Sequence, residues 1–334
     1  MGFLSSVFGY LLNCLYVFFS NYGIAIIVFS ILLRIILIPI TIKQQKSMKK
    51  SAKIQQKLAE IQNKYRNNPE RLNQETIELY KKEKTSPFSG CLSGILQLLI
   101  LLSVFWLVSQ PLTYMIKVEN NEDLKNIVEE YKEEINNSES KGTYIEIQVI
   151  SKIEEEYKEI LNKLNSIENG ENIIINNEEL DENQIVEKVQ TKEELESRKE
   201  KLEKLRINME FLGLDLSKVP NQNLNDWRVY VIPLLYVITS FASIKLTTIT
   251  QNKKKKKDDL IIVGEENKEE INTDQIGQMS NTMMYMMPIM SISIAIIAPL
   301  GLALYWLTSN ILMIIEKLVI DKVIISKEDE QDAE

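Results

Sequence analysis

A single arginine interrupts the most apolar stretch of this chain. Residues 22–42 contain one formally charged side chain, that of Arg34. A helix of this length can cross the hydrocarbon core of a bilayer, which places Arg34 near the middle of the membrane. Arginine does not lose its proton, and its insertion at that depth costs about 3 kcal/mol. A charge at this depth must face water or a partner, so Arg34 marks a functional position.

Apolar and charged residues are segregated along the chain. Of its 334 residues, 45% are hydrophobic and 26% are charged, and most charges lie between the apolar blocks. This pattern predicts an all-α polytopic membrane protein. The apolar blocks lie at 3–19, 22–42, 91–109, 229–248, 283–298 and 300–320.

Charge between the blocks predicts their orientation. Segment 43–87 carries 12 Lys/Arg and 5 Glu, so it is expected in the cytoplasm, whereas segment 113–227 carries 28 Asp/Glu and 15 Lys/Arg and is expected outside. Five consecutive lysines at 253–257 indicate a second cytoplasmic segment. Five spans satisfy this alternation and leave the C-terminus in the cytoplasm.

These signals predict a five-helix transmembrane core with a cytoplasmic helical hairpin and an α-rich extracytoplasmic insert. The expected spans are 21–42, 88–116, 228–248, 282–298 and 299–321. The other expected segments are an interfacial helix at 1–20, the hairpin at 43–87, an acidic insert at 117–227, a basic cytoplasmic loop at 249–281 and an acidic cytoplasmic tail at 322–334.

The first apolar block is compatible with two arrangements. It is long enough to span, but a weak polar line runs along it and the turn after it is very short. An amphipathic helix lying in the interface fits these features as well as a span does. We favour the interfacial helix, and the charge pattern does not separate the two.

Segment 43–87 is predicted to form two antiparallel helices. Asn68 is a good N-cap and Pro69 suits the first helical position, so the second helix should begin there and run to about Lys84. The hairpin is either a solvated linker or a basic surface that touches anionic lipid or RNA.

Segment 118–208 is rich in Glu, Lys, Asn and Ile. Apolar periodicity predicts helices at 143–165 and 191–209, and residues 173–175 are compatible with a short strand. A spacer or docking insert is the simplest interpretation.

Polar residues within three spans suggest a hydrated intramembrane groove around Arg34. Ser30 lies one helical turn before Arg34, Thr41 shares the same side of that helix, and Gln97 lies in the second span. Tyr305, Thr308, Ser309 and Asn310 lie in the last span. No carboxylate lies centrally in any span, so Arg34 is predicted to have no partner within the chain. Glu316 and Lys317 are expected to be anchors at the cytoplasmic surface.

Several classes of function lack support in the sequence. The chain has no histidine, no metal-ligand spacing, no nucleophile–base pair and no phosphate-binding loop. We therefore expect no enzyme, no cofactor, no metal and no specific nucleic-acid partner. The rival interpretations are an anion-selective channel or transporter that uses Arg34, and a receptor-like scaffold whose working part is the insert.

Six motifs together resemble the YidC family of membrane protein insertases. The resemblance covers about 1–116 and 205–322. The motifs are Asn21-Tyr-Gly-Ile-Ala-Ile-Ile-Val with Arg34 and Pro39, Glu75-x-x-Glu-Leu-Tyr-Lys-Lys-Glu-Lys84, Pro87-x-x-Gly-Cys-Leu92 with Gln97, Phe211-Leu-Gly-Leu-Asp-Leu216, Met286-Met-Pro288 and Gly301-Leu-Ala-Leu-Tyr-Trp-x-x-Ser-Asn310.

The resemblance implies five helices around a groove open to cytoplasm and lipid. It implies that Arg34 attracts acidic residues in the outgoing segment of a substrate, that Gln97 lines the groove, and that Ser30 and Trp306 contact the substrate's apolar helix. Tyr305 and Asn310 complete the expected groove. The chain departs from the family at Ser93, at 298–301 and in its acidic tail, which weakens the expectation of tail-mediated ribosome docking.

The expected function is therefore a membrane protein insertase and chaperone of the bacterial plasma membrane. Its expected substrates are nascent membrane proteins with acidic outgoing segments. The resemblance adds the ribosome, the Sec translocon, signal recognition components and anionic lipids as candidate partners.

Overall fold

A computed structural model describes residues 2–83, 89–137, 144–168, 182–261 and 295–320. Helices dominate these residues, and the short strands β1 (Glu210–Phe211) and β2 (Leu214–Asp215) form one antiparallel hairpin. The α-helices are α1 (Gly2–Phe19), α2 (Tyr22–Lys64), α3 (Pro69–Lys82), α4 (Ser89–Ser109), α5 (Glu122–Asn137), α6 (Ile145–Glu168), α7 (Glu182–Leu205), α8 (Val231–Ile261) and α9 (Leu300–Ile320).

The chain forms two compact units. We call the first the insert unit; it comprises Met1–Ile26, Ser103–Val219 and Pro299–Leu302. We call the second the helix unit; it comprises Ile27–Leu102, Pro220–Ala298 and Ala303–Glu334.

Helix α2 passes without interruption from the apolar stretch into the basic segment. It continues through Pro39, which removes one backbone donor but is tolerated in membrane helices because neighbouring groups satisfy the freed carbonyl. The predicted break and cap are confirmed: Asn68 Oδ1 accepts a hydrogen bond from the backbone N–H of Arg71 at 3.2 Å, with Pro69 at the first helical position. An ion pair of 2.6 Å between Lys57 Nζ and Glu83 Oε1 shows that α3 folds back along α2.

The helices α5, α6 and α7 form the body of the insert unit. The predicted helix at 143–165 corresponds to α6. The one predicted at 191–209 overlaps α7, which begins at Glu182 and ends at Leu205, and α5 was not predicted. Asn121 caps α5 by accepting a hydrogen bond from the N–H of Leu124 at 3.2 Å. The buried residues of α5 recur at helical spacing: Leu124, Ile127, Val128, Tyr131 and Ile135. The predicted strand at 173–175 lies outside the described residues.

The chain after α7 binds the turn between α1 and α2 within the insert unit. The N–H of Tyr22 donates to the carbonyl of Asn208 at 3.0 Å, and the N–H of Asn208 donates to the Tyr16 hydroxyl at 2.8 Å. Gly23 allows the Phe211 ring to lie against α2, because a Cβ at this position would overlap the ring. These contacts hold residues 208–211 against the turn between α1 and α2 within the insert unit.

The N-terminal helix packs closely through one narrow face. Ser5 Oγ donates to the carbonyl of Ser103 at 3.0 Å, and Leu12 is fully buried. A Cβ on Gly9 would overlap the carbonyl oxygen of Tyr114, so glycine is required for this approach. The other faces of α1 are largely exposed. Whether α1 spans or lies in the interface stays a prediction.

Four helices among the described residues are long and apolar enough to cross a membrane. They are Gly2–Phe19, Tyr22–Gln44, Trp227–Leu246 and Leu300–Val319. Leu98–Ser109 is a shorter apolar helix within α4, and most of the predicted span at 282–298 lies outside the described residues. Helix α8 continues through the lysines at 253–257 to Ile261, so the first part of the predicted basic loop is helical.

Candidate functional site

Arg34 lies in the helix unit, on the part of α2 that is long and apolar enough to span a membrane. Ser30 lies one turn earlier on the same side of α2 and is buried. Phe29 and Leu33 are also buried, whereas Ile35 and Ile36 are exposed. One face of α2 is therefore packed against protein, and Arg34 lies at its border.

The guanidinium of Arg34 forms an ion pair with Glu316 of α9. Its Nε contacts Oε2 of Glu316 directly. The prediction that no carboxylate of this chain reaches Arg34 is therefore wrong. The expectation that Glu316 anchors the cytoplasmic surface is also wrong, because 7% of its side chain is exposed. In a helix, long side chains point back towards the N-terminus, so this carboxylate lies deeper in the span than its sequence position suggests.

The ion pair leaves bonding capacity on both sides. The Arg34 side chain keeps 18% of its exposure, more than twice that of Glu316. Among the described residues, neither carboxylate oxygen of Glu316 has a partner in hydrogen-bonding geometry, although both are buried. The pair is a close ionic contact and not a two-bond fork. The two-bond fork is the stronger of these two arrangements for arginine and carboxylate.

Tyr305 extends the polar face of α9 towards Arg34. Its side chain is buried, and its hydroxyl hydrogen-bonds with Ser309 one turn further along α9 and interacts electrostatically with Arg34. Tyr305, Ser309 and Glu316 are spaced by four and seven residues, so they share one side of the helix. This side of α9 faces Arg34.

Asn310 and Trp306 belong to a second face of α9 that packs on α8. The Asn310 amide donates to Thr239 Oγ1 at 3.2 Å and to Ser240 Oγ at 3.0 Å. The Trp306 ring lies 6.1 Å from that of Tyr236, centroid to centroid. Both Asn310 donors are thus used between helices.

The remaining polar residues of the predicted groove have different positions. Gln97 belongs to α4, but its side chain lies outside the described residues. The Thr41 hydroxyl donates to the carbonyl of Leu37 at 3.1 Å, which satisfies it locally. The structure therefore pairs Arg34 with Glu316 on the side of α9 that also carries Tyr305, and it places Asn310 and Trp306 against α8.

Three residues at this site were missed by the sequence analysis: Glu316, Thr239 and Ser240. The signal for the last two was present, because two adjacent hydroxyl residues in an apolar span can bond a carboxamide on another helix. Glu316 carried a weaker signal, since it is the sole acidic residue in the block 300–320. No cluster of residues that could hold a metal ion occurs in the described ranges.

Comparison with known proteins decides the family. The model of the 60Kd inner membrane protein family matches residues 14–166 and 195–328, which is most of the chain. This chain belongs to the 60Kd inner membrane protein family. With its apolar helices, it is a multi-pass protein of the bacterial inner membrane.

Relatives of this family member are named membrane protein insertase YidC. The protein from Fusobacterium nucleatum is 44% identical over 102 residues, 30% of this chain and 50% of the relative. The protein from Caldanaerobacter subterraneus is 42% identical over 105 residues, 31% of this chain and 51% of the relative. A Clostridium perfringens relative is 41% identical over 87 residues, 26% and 37% of the two chains. The chain thus spans about half the length, or less, of these curated relatives.

Proposed function

We propose that this protein is a membrane protein insertase that moves small integral membrane proteins from the cytoplasm into the bilayer and helps them fold. The observation that carries the proposal is Arg34. It is a partly accessible permanent charge on a span-length helix, in a chain whose relatives are named membrane protein insertases. An acidic outgoing segment needs such a counter-charge where water is scarce.

The mechanism proposed is an exchange of counter-ions. At rest, Glu316 neutralises Arg34. An acidic group of an entering substrate replaces Glu316 beside the guanidinium, which lowers the free-energy cost of taking that group out of water. The apolar helix of the substrate then moves sideways into lipid, and Arg34 returns to Glu316. No cofactor takes part.

The proposal gives the other groove residues distinct tasks. Gln97 lines the hydrophilic groove within the five-helix core, and Tyr305 holds the polar path beside Arg34. Ser30 and Trp306 contact the substrate's apolar helix. Asn310 fixes α9 against α8 through Thr239 and Ser240, so it shapes the groove instead of binding substrate.

The proposal also fixes the orientation and the partners. The C-terminus and the hairpin of α2 and α3 lie in the cytoplasm, where nascent chains arrive from the ribosome or through signal recognition components. The helices α5–α7 lie outside. The Sec translocon and anionic lipids are further partners of this arrangement.

Complementation of a bacterium depleted of its own insertase tests the proposal. The chain should restore insertion of a small reporter whose outgoing segment is acidic, as measured by protease protection. Photocrosslinkers at Ser30 and Trp306 should capture the reporter during insertion. A crosslinker at Leu212, which is exposed in the β1–β2 turn of the insert unit, is the matched control and should not.

The test separates the insertase from an anion channel. A channel predicts anion flux through liposomes that contain the purified chain, and no rescue of the reporter. Because Glu316 cancels the charge of Arg34, the ion pair gives little support to an anion selector. Flux without rescue would overturn the insertase proposal.

A further inference from the structure

Helix α9 presents two polar faces, and the ion pair lies on the one that α8 does not use. Asn310 and Trp306 contact α8, whereas Tyr305 and Glu316 lie towards Arg34. Glu316 is therefore not needed to hold α9 on α8. Its described contact is with the guanidinium that the proposed function assigns to substrate.

The ion pair makes the site electrically neutral. An entering carboxylate gains the attraction of Arg34 only by taking it from Glu316. When a substrate carboxylate takes the place of Glu316, the buried Glu316 carboxylate is left uncompensated, so the exchange brings a smaller net gain than an unpaired Arg34 would give. Neutral polar groups meet no such competition, since they do not need to displace Glu316. The pair thus reduces the advantage that an acidic segment would have over a neutral one.

We propose that Glu316 is the specificity-determining residue of the Arg34 site, because as the resident counter-ion it suppresses selection for carboxylates and admits outgoing segments that are polar but uncharged. This inference rests on the proposed function, since it assigns the substrate range of the same site. It predicts a broader substrate class than acidic segments alone.

The experiment compares two matched substrates. One carries an aspartate in its outgoing segment, and the other carries asparagine at the same position, followed by the same apolar helix. Their dissociation constants are measured on the full chain in nanodiscs, and their insertion is measured in the depleted bacterium. The readout is the ratio of acidic to neutral substrate in the wild type, E316Q, E316D, R34Q and R34Q/E316Q.

The charge states predict the order of these ratios. The wild type should treat the two substrates within about threefold of each other, whereas E316Q should prefer the acidic one by about tenfold or more, because Arg34 is then uncompensated. E316D keeps the charge and should resemble the wild type. R34Q leaves Glu316 to repel carboxylates, so it should prefer the neutral substrate, and R34Q/E316Q should show no preference.

Glu134 supplies the matched control. It pairs with Lys152 in the insert unit, so E134Q removes the same charge from a different unit and should leave the ratio unchanged. The proposal is overturned if E316Q binds the two substrates in the wild-type ratio. If E316Q does not fold, the R34Q variant provides the test. An acidic-to-neutral ratio in R34Q that is no lower than in the wild type would also overturn the proposal.

The binding arm keeps this inference separate from the proposed function. A chain that binds both peptides with the predicted order of ratios but rescues no insertion would contradict the insertase function and retain the role of Glu316. If insertion is restored and the acidic-to-neutral ratio is the same in all variants, the insertase function is retained and the proposed role of Glu316 is refuted.

Discussion

The ion pair of the helix unit and those of the insert unit are built differently. Arg34 meets Glu316 through one nitrogen, and Glu316 is almost fully buried. Arg206 instead donates a hydrogen bond to each carboxylate oxygen of Glu154, at 2.8 and 3.0 Å, and each of the two side chains is 30% exposed. Its guanidinium also lies 3.7 Å from the centre of the Tyr157 ring.

A second pair in the insert unit repeats the Arg206 design. Arg198 binds both oxygens of Glu156, at 2.9 and 3.3 Å, and lies over the ring of Tyr131. Two-bond forks with aromatic stacking fix an arginine in one position. The comparison teaches that the ion pairs of the insert unit are structural. The Arg34–Glu316 pair is more buried but makes fewer bonds, so its carboxylate partner is easier to exchange.

The largest effect is expected for R34Q. This change leaves the Glu316 carboxylate buried without its counter-ion, which should lower the free energy of unfolding by about 3–5 kcal/mol. Thermal unfolding of the full chain in nanodiscs measures it. R228Q is the matched control: Arg228 pairs with Asp226 in the same unit but is 54% exposed, so its loss should leave the free energy of unfolding nearly unchanged. Equal losses of stability in R34Q and R228Q would show that the Arg34–Glu316 pair is no more important for stability than an exposed ion pair.

A smaller effect is expected for R206K in the insert unit. Lysine keeps the charge but loses the fork to Glu154 and the stacking on Tyr157, which should lower stability by about 1–2 kcal/mol. Urea denaturation of the full chain, followed by hydrogen exchange of α6, measures the loss. K204R is the control, since Lys204 forms an exposed pair with Glu200 and should tolerate the change.

N310A should lower the free energy of unfolding by less than R206K does. It removes two hydrogen bonds to α8, and interhelical bonds of this kind contribute about 0.6 kcal/mol each in membrane proteins. Unfolding in nanodiscs should show a loss of about 1 kcal/mol, with the acidic-to-neutral substrate ratio unchanged. M313A, at an exposed position of the same helix, controls for side-chain truncation. A changed ratio would mean that Asn310 binds substrate.

The smallest effects are expected from pH, and they have opposite signs within the insert unit. Burial raises the pKa of the Glu154 carboxyl. The hydrogen bonds and the charge of Arg206 lower that pKa by more than burial raises it, so the net shift is downward. Its stabilising contribution is present above its unfolded pKa of about 4.3 and is lost as pH falls through the lowered value. E154Q should therefore reduce the acid sensitivity of the insert unit.

Glu146 should act in the other direction. Burial raises its pKa despite hydrogen bonds from the Thr113 hydroxyl and N–H. Its contribution is present below about pH 4.3 and is lost as pH rises through the raised value. Urea midpoints from pH 3 to 7 should show that E146Q removes this decline at higher pH. Parallel profiles for the wild type and both variants would refute the assignment.

Local signals were enough to predict much of the fold. The helix break at Asn68 and the helices α6 and α7 followed from capping and periodicity. The omission of α5 was avoidable, because Asn121 and the stripe from Leu124 to Ile135 are the same kinds of signal. The β1–β2 hairpin was harder to foresee: it has two residues per strand, with a Leu-Gly turn in which both residues have positive φ.

The site could be predicted only in part. Arg34 was evident because a charge in an apolar block is costly. Its partner was missed because Glu316 lies on the last helix of the chain, and the depth of a side chain was judged from distance to the end of its block. Contacts between distant helices depend on how the helices pack, which no local pattern contains. The role assigned to Gln97 stays a prediction.

A double-mutant cycle between Arg34 and Glu316 tests the central claim most directly. Unfolding free energies are measured in nanodiscs for the wild type, R34Q, E316Q and R34Q/E316Q. If the two side chains form the buried pair, the double variant should be more stable than R34Q, because it leaves no unpaired carboxylate. Losses that simply add would show that the two residues do not interact, and the counter-ion exchange would then be contradicted.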